Sequence, residues 1–225
     1  MIVAIDGPAG AGKSTVARGL ARRLGAGYLN TGAMYRAITR LALDAGIAPE
    51  DGAALARLAA ERPVRLEPGP AGERVLAGGR DLTQAIRDPE VTRSVSEVSA
   101  HRGVRSAVVA AQRDLLAHGD WVADGRDVGS VVWPAAELKV FLTASPEERA
   151  RRRRDELAAL GQEASLQEVQ ADLARRDRLD STREASPLVV APGAVVLDTS
   201  DLDAQGVVDR LAALAAGARA AAPRA

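Results

Sequence analysis

Lysine is scarce in this chain: of thirty basic residues only Lys13 and Lys139 are lysine, and the rest are arginine. Lys13 stands in the stretch Gly7-Pro8-Ala9-Gly10-Ala11-Gly12-Lys13-Ser14-Thr15. Gly-x-x-x-x-Gly-Lys-Ser is the spacing of a phosphate-binding loop. Small residues let successive backbone N–H groups turn inward around an anion, and a following helix adds its free donors and partial positive charge. A compact ammonium threads such a loop where the broad guanidinium fork does not fit. Lys13 would reach the β and γ phosphates of a nucleoside triphosphate, and the Ser14 hydroxyl would serve Mg²⁺. A glycine-rich turn with an incidental lysine is the alternative. It leaves unexplained why the loop falls between a strand-like run and an alanine-rich helix.

Three further clusters could bind anions. Thr31-Gly32-x-x-Tyr35-Arg36 opens a helical segment; it is either an ordinary cap with Arg36 solvated or an anion site in which Arg36 adds bidentate capacity. Asp124-Gly125-Arg126-Asp127-x-Gly129 follows the apolar run Trp121–Ala123, at the carboxyl end of a strand, where α/β sheets bind ligands. Its Asp-x-x-Gly spacing also fits a GTPase switch, but no Asn-Lys-x-Asp follows to read guanine. Arg149, Arg152 and Arg153 share one helix face, and Arg176, Asp180 and Arg183 share another. For Arg151 and Arg154 plain solvation suffices. The polar segment between the two stripes has the length and composition of a mobile lid.

These residues need a scaffold, and the apolar pattern supplies one. Strands are predicted at 2–5, 27–30, 121–125, 138–144 and 194–200. Helices are predicted at 13–24, 31–46, 51–61, 88–100, 103–118, after Ser145, after Ser165, and at about 203–215. The two serines open S-x-x-E capping boxes, one with proline at the first helical position. This alternation predicts an α/β fold with a five-stranded parallel sheet flanked by helices. Between 62 and 82 short β-like runs separated by Gly and Pro predict a small antiparallel insertion. The tail 216–225 is expected to be disordered.

Composition narrows the classes. The chain has 225 residues, 47% apolar and 27% charged, with a formal net charge of zero, which suits one domain and gives no global attraction to nucleic acid or membrane. It has no cysteine, which removes disulfides, thiolate catalysis and cysteine-based metal sites. His101 and His118 lack partners at metal-ligand spacing. Five aromatic residues are too few for a nucleic-acid stacking surface. No run of about 18 apolar residues is present, and a cytoplasmic monomer is expected.

Lysine, Mg²⁺ and arginines arriving from a closing lid are the parts of phosphoryl transfer between two phosphorylated substrates. In this order the segments IDGPAGAGKST, LNTGAMYRA, VADGRDVGSVVWPAAELKVFLTAS and RRDRLDSTREASPLVVAPGAVVLDTS resemble those of bacterial cytidylate kinases, in the nucleoside monophosphate kinase family. The resemblance runs from residue 1 to about 215 and includes the β insertion. It implies one domain, with core 1–35, 119–145 and 186–215, a monophosphate-binding region 36–118 and a lid 146–185. It implies ATP and Mg²⁺ as cofactors and CMP and dCMP as small-molecule substrates. Gly7, Pro8, Ala9, Gly10, Ala11, Gly12, Lys13, Ser14 and Thr15 would bind ATP, with Arg149 and Arg153 closing over it and Ser14 on the metal. Thr31, Arg36 and Arg105 would hold the acceptor. Ser96, Arg126 and Asp127 would read cytosine, and Arg176, Asp180 and Arg183 would reach its sugar and phosphate. Lys13, Arg126 and Arg176 would be the catalytic residues. Thr31 stands where other members can carry serine, and the hydroxyl survives. A sibling small-molecule kinase and a nucleotide-binding switch without transfer are the competing readings.

Overall fold

The computed structural model describes residues 1–69 and 72–221. In chain order its elements are β1 (Ile2–Asp6), α1 (Lys13–Leu24), β2 (Gly27–Asn30), α2 (Thr31–Asp44), α3 (Gly52–Glu61), β3 (Arg65–Gly69), β4 (Gly72–Ala77) and β5 (Arg80–Asp81). They continue with α4 (Pro89–Val98), α5 (Arg102–Leu116), β6 (Trp121–Gly125), β7 (Leu138–Thr143), α6 (Pro146–Ala159), α7 (Leu166–Thr182), β8 (Val195–Asp198) and α8 (Ala204–Ala221). A 3-10 turn, Ala85–Arg87, precedes α4, and a π-helical turn, Val128–Val132, follows β6. Among the described residues no helix is long and apolar enough to cross a membrane.

Two compact units emerge. The first comprises Met1–Leu29, Gly119–Thr182 and the chain from Ser186; the second comprises Asn30–His118 with Arg183–Ala185. The first unit is built on a five-stranded sheet in the order β2-β6-β1-β7-β8. All five residues of β1 are buried, as a strand flanked on both edges and covered on both faces requires. It pairs in parallel with β6, Ile2 to Trp121 through Asp6 to Gly125, and with β7, Val3 to Leu138 through Asp6 to Phe141. The carboxyl ends of β1 and β6 therefore finish side by side, which places Asp6 and the loop after it beside Asp124 and Gly125. Val16, Ala17, Leu20 and Ala21 form the apolar stripe of α1, which joins Val207, Val208 and Leu211 of α8 in the core over Val3, Ile5, Val140 and Leu142. Burying each of the larger side chains contributes about 1.5–3 kcal/mol.

The second unit contains α2–α5 and the antiparallel sheet β3-β4-β5, paired from Arg65 with Leu76 to Gly69 with Gly72. This is the insertion expected at 62–82. The unit starts at Asn30, whose side chain accepts from the Ala33 N–H at 3.0 Å and so caps α2.

One expectation needs adjusting. The helix predicted to close near 215 runs to Ala221: alanine has the highest helix propensity, and nothing in Ala215–Ala221 beyond one glycine interrupts propagation. The last four residues lie outside the described ones. The helices predicted to form a lid, α6 and α7, belong to the first unit. Ala9 packs into a small apolar cluster with Ala150, Val169 and Leu173, which joins both helices to the loop after β1.

Candidate active site

Backbone geometry makes the loop after β1. Gly7 has φ +150°, and a Cβ there would stand 2.0 Å from the Leu142 carbonyl oxygen of β7. Gly10 has φ +78°, with its Cβ position 2.9 Å from the Arg149 carbonyl oxygen. Neither place admits a side chain. Lys13 is then the first residue of α1, whose opening N–H groups have no intrahelical acceptors. Its ammonium is buried, 6% exposed, and donates to the Pro8 carbonyl at 2.6 Å. Burial lowers its pKa well below the ordinary lysine value, and nearby Arg126 and Arg176 lower it further, opposed by Asp124 and Asp6.

Ser14 and Asp124 form a second feature. The Ser14 hydroxyl donates to Asp124 Oδ2 at 2.7 Å, and the Tyr28 hydroxyl donates to Asp124 Oδ1 at 2.8 Å. Burial first and Asp124 second raise the Tyr28 pKa, so the phenol stays protonated and keeps its proton to donate to Asp124. Arg18 stacks over the Tyr28 ring, 5.3 Å from its centroid.

The cluster from Asp124 to Gly129 leaves β6 and enters the π-helical turn. Arg126 Nε donates to Asp180 Oδ2 at 2.8 Å. Asp127 is buried, and its carbonyl accepts from Val131 at 2.9 Å and Val132 at 3.1 Å. Arg176 on α7 is buried; burial first and Arg126 second push its pKa down to about 10, and it remains a cation at neutral pH. Asp180 and Arg183 are also buried. Of the three residues expected on one helix face, Arg176 and Asp180 lie on α7, which ends at Thr182, and Arg183 lies just past it.

The other helical arginines separate. Arg149 donates to the Ala9 carbonyl at 3.0 Å and to Asp177, whose other oxygen accepts from the Ala9 N–H at 3.1 Å. Arg152 donates to the Thr199 hydroxyl and carbonyl, and Arg153 pairs with Glu156 along the helix. Arg151 and Arg154 are exposed and pair with Glu148 and Asp155.

The second unit carries its own polar group. Arg105 is buried, donates to the Ser99 carbonyl at 3.1 Å and lies 5.1 Å from the centroid of the Tyr35 ring. The Ser99 hydroxyl in turn donates to the carbonyl of buried Ser96. Arg36 donates to the Ile86 carbonyl at 3.0 Å and the Thr92 hydroxyl at 2.9 Å. Thr31 is buried at the start of α2.

The family model described as cytidylate kinase matches residues 3–216. The chain belongs to the cytidylate kinase family. It is 51% identical over 211 residues to the cytidylate kinase of Carboxydothermus hydrogenoformans, covering 94% of this chain and 95% of that protein. It is 52% identical over 216 residues to the cytidylate kinase of Exiguobacterium sibiricum, covering 96% and 97%. A gluconokinase structure from Sinorhizobium meliloti 1021 shares the fold, with TM-score 0.50 and 17% identity over 97% of this chain and 93% of that one.

Membership in the cytidylate kinase family sets the chemistry as phosphoryl transfer to a nucleoside monophosphate. The residues present fit a nucleotide with Mg²⁺. Gly7 and Gly10 let the loop lie directly against β7 and α6, where a Cβ would meet the Leu142 and Arg149 carbonyl oxygens, and the Ser14–Asp124 pair supplies the hard oxygen ligands Mg²⁺ prefers. Five further residues draw attention in the structure: Asp6, Tyr28, Tyr35, Asp124 and Asp177. Asp124 stood in a cluster visible in the sequence but without a role of its own. Asp6 had a signal, a carboxylate ending an otherwise apolar strand. Tyr35, like Asp124, stood in a cluster visible in the sequence without a role of its own; Tyr28 and Asp177 had no signal, because their partners lie on distant segments.

Proposed function

We propose that the protein transfers the γ-phosphoryl group of ATP to CMP or dCMP, giving ADP and CDP or dCDP. The observation that supports this most is the convergence of Lys13, Arg126 and Arg176 beside the phosphate loop: Lys13 and Arg176 are buried, and the neighbouring Arg126 lowers the proton affinity of both. Cations held in this way gain most from a polyanion, and charge spread over a transferring phosphoryl group is what they stabilise.

The loop from Gly7 to Thr15 binds the ATP phosphates through backbone N–H groups, and Lys13 leaves the Pro8 carbonyl for the β and γ phosphates. Arg149 and Arg153 hold the nucleotide from the lid helices, with Asp177 fixing Arg149 against the loop. Mg²⁺, when bound, would be held by the Ser14 hydroxyl and Asp124 and would neutralise charge on the β and γ phosphates. In the first unit Arg126 and Asp127 read cytosine, whose N3 accepts and whose N4 amine donates; uracil would set a carbonyl against the carboxylate. Arg176 and Asp180 serve the acceptor's phosphate and sugar, together with Arg183. In the second unit Thr31, Arg36, Ser96 and Arg105 hold the acceptor. The reading places the enzyme in pyrimidine nucleotide metabolism, as a cytoplasmic monomer.

The test is ADP release from Mg·ATP with CMP, dCMP, UMP, AMP, GMP and shikimate offered singly. Turnover is expected with CMP and dCMP and little with the others. Lys13→Ala should lower it by roughly 100-fold or more, as loss of one charge-stabilising group does. Preference for another acceptor would keep the kinase and overturn the base-reading roles. Nucleotide binding without acceptor-dependent turnover would leave only a nucleotide-binding switch.

A further inference from the structure

We propose that Asp6 is a positioning residue for acceptor selection: one buried carboxylate that locks the loop carrying Arg126 and Asp127 to the strand that launches the phosphate loop. This rests on the reading above in which Arg126 and Asp127 recognise cytosine.

Asp6 is the last residue of β1, immediately before Gly7, and is 3% exposed. The rest of β1 is Ile, Val and Ala, so packing alone asks for another apolar residue. A carboxylate placed there is unfavourable unless its oxygens are matched. Both are: Oδ1 accepts from the Val128 N–H at 2.8 Å and Oδ2 from the Gly129 N–H at 2.8 Å. Val128 and Gly129 open the π-helical turn, where N–H groups lack partners within the turn itself. Asp6 satisfies two successive donors with charge-assisted bonds, stronger than neutral ones.

The residue just before these donors is Asp127, whose carbonyl closes the turn through Val131 and Val132. The turn therefore hangs from β1 at its first two amides, and Asp127 and Arg126 follow its position. The surroundings are close: a Cβ on Gly129 would lie 3.4 Å from Asp6 Oδ2 and 3.3 Å from Lys139 Cγ, so a methyl there presses on both. π-helical turns of this kind recur at functional sites because they set a side chain at an angle regular helix does not offer. Displacing a recognising carboxylate by a fraction of an ångström weakens orientation at once. A carboxylate that merely stabilised the fold would affect ATP and the acceptor alike, whereas one that sets the loop affects the acceptor selectively.

The experiment compares wild type with Asp6→Asn, Gly129→Ala and Asp127→Asn in the full chain, measuring kcat and KM for CMP, UMP and Mg·ATP. Asparagine keeps the shape but turns an NH₂ group toward one of the two backbone donors. Alanine at 129 keeps the carboxylate and presses a methyl on the same contact. Asp6→Asn is expected to raise KM for CMP by about tenfold, the fold-change for one charge-assisted hydrogen bond, and to narrow the CMP-over-UMP preference as Asp127→Asn does; Gly129→Ala is expected to move both in the same direction. KM for Mg·ATP should stay unchanged. The proposal is overturned if Asp127→Asn narrows the preference while Asp6→Asn and Gly129→Ala do not, or if KM for Mg·ATP rises in step with KM for CMP. If Asp127→Asn keeps full preference, the base reading itself fails and this inference fails with it. Should Asp6→Asn not fold, Gly129→Ala decides: unchanged acceptor KM and selectivity overturn the proposal.

Discussion

At the scale of single residues, burial decides chemistry. Lys13 lies where water cannot solvate it, so its ammonium turns to the Pro8 carbonyl and its proton affinity falls. Asp6 experiences the same burial with the opposite sign of charge. Burial first raises its pKa, the Gly129 and Val128 amides lower it, Asp127 raises it and Lys13 lowers it, leaving it raised to about 6. Because the folded value lies above the ordinary 3.8, ionising Asp6 opposes folding. Its stabilising contribution is fully present below the ordinary value and is lost as pH rises through about 6, a swing of roughly 3 kcal/mol. Carboxyl-carbon NMR of the labelled protein should therefore show one aspartate titrating near pH 6. Asp6→Asn should remove that signal and the matching part of the pH dependence of stability. An Asp6 midpoint near 4 would refute this.

At the scale of elements, short local signals set where helices begin, and those helices carry the site. Ser165 and Glu168 form a reciprocal capping box at the start of α7: the hydroxyl accepts from the Glu168 N–H at 3.2 Å, and the carboxylate accepts from the Ser165 N–H at 2.9 Å. The matching sequence at Ser145 behaves differently. Its hydroxyl caps the Glu148 N–H at 3.2 Å, but the Glu148 carboxylate takes Arg151 and Arg152 instead of reaching back. Charged neighbours outcompete a neutral backbone donor. Because α7 holds Arg176, Asp177 and Asp180, its first turn matters to the site. Ser165→Ala should lower the local stability of that turn by about 1 kcal/mol, seen as faster amide hydrogen exchange in α7 while exchange in β1 and β7 is unaltered. Equal acceleration in the sheet would mean the cap supports the whole unit.

At the scale of the whole molecule, a net charge of zero leaves no long-range field to gather anions, so affinity for nucleotide must come from the local convergence around Lys13. Binding then appears as stability. Mg·ATP at one hundred times its Kd stabilises the folded state by about 2.7 kcal/mol, which for a chain of this size raises the melting temperature by roughly 5–10 °C. A thermal scan should show that rise in wild type and little of it in Lys13→Ala. An equal rise in both would detach nucleotide binding from the loop.

What the sequence determined by itself is what local physics controls. The Gly-Lys-Ser spacing, the caps and the strand-length apolar runs are short-range patterns, and they specified the loop, the order of strands and helices, and the β insertion. They also set Arg176 and Asp180 one turn apart on a helix, and both are buried on α7. Only the tertiary structure decided which distant groups meet. Asp124 takes Ser14 and Tyr28 because β1 and β6 run in register, and Arg149 meets Asp177 because two helices pack on Ala9. Asp6 reaches Val128 and Gly129 across more than a hundred residues of chain. Such pairings carry no periodicity, since their energy lies in matched donors and acceptors that exist only once the sheet has closed around them.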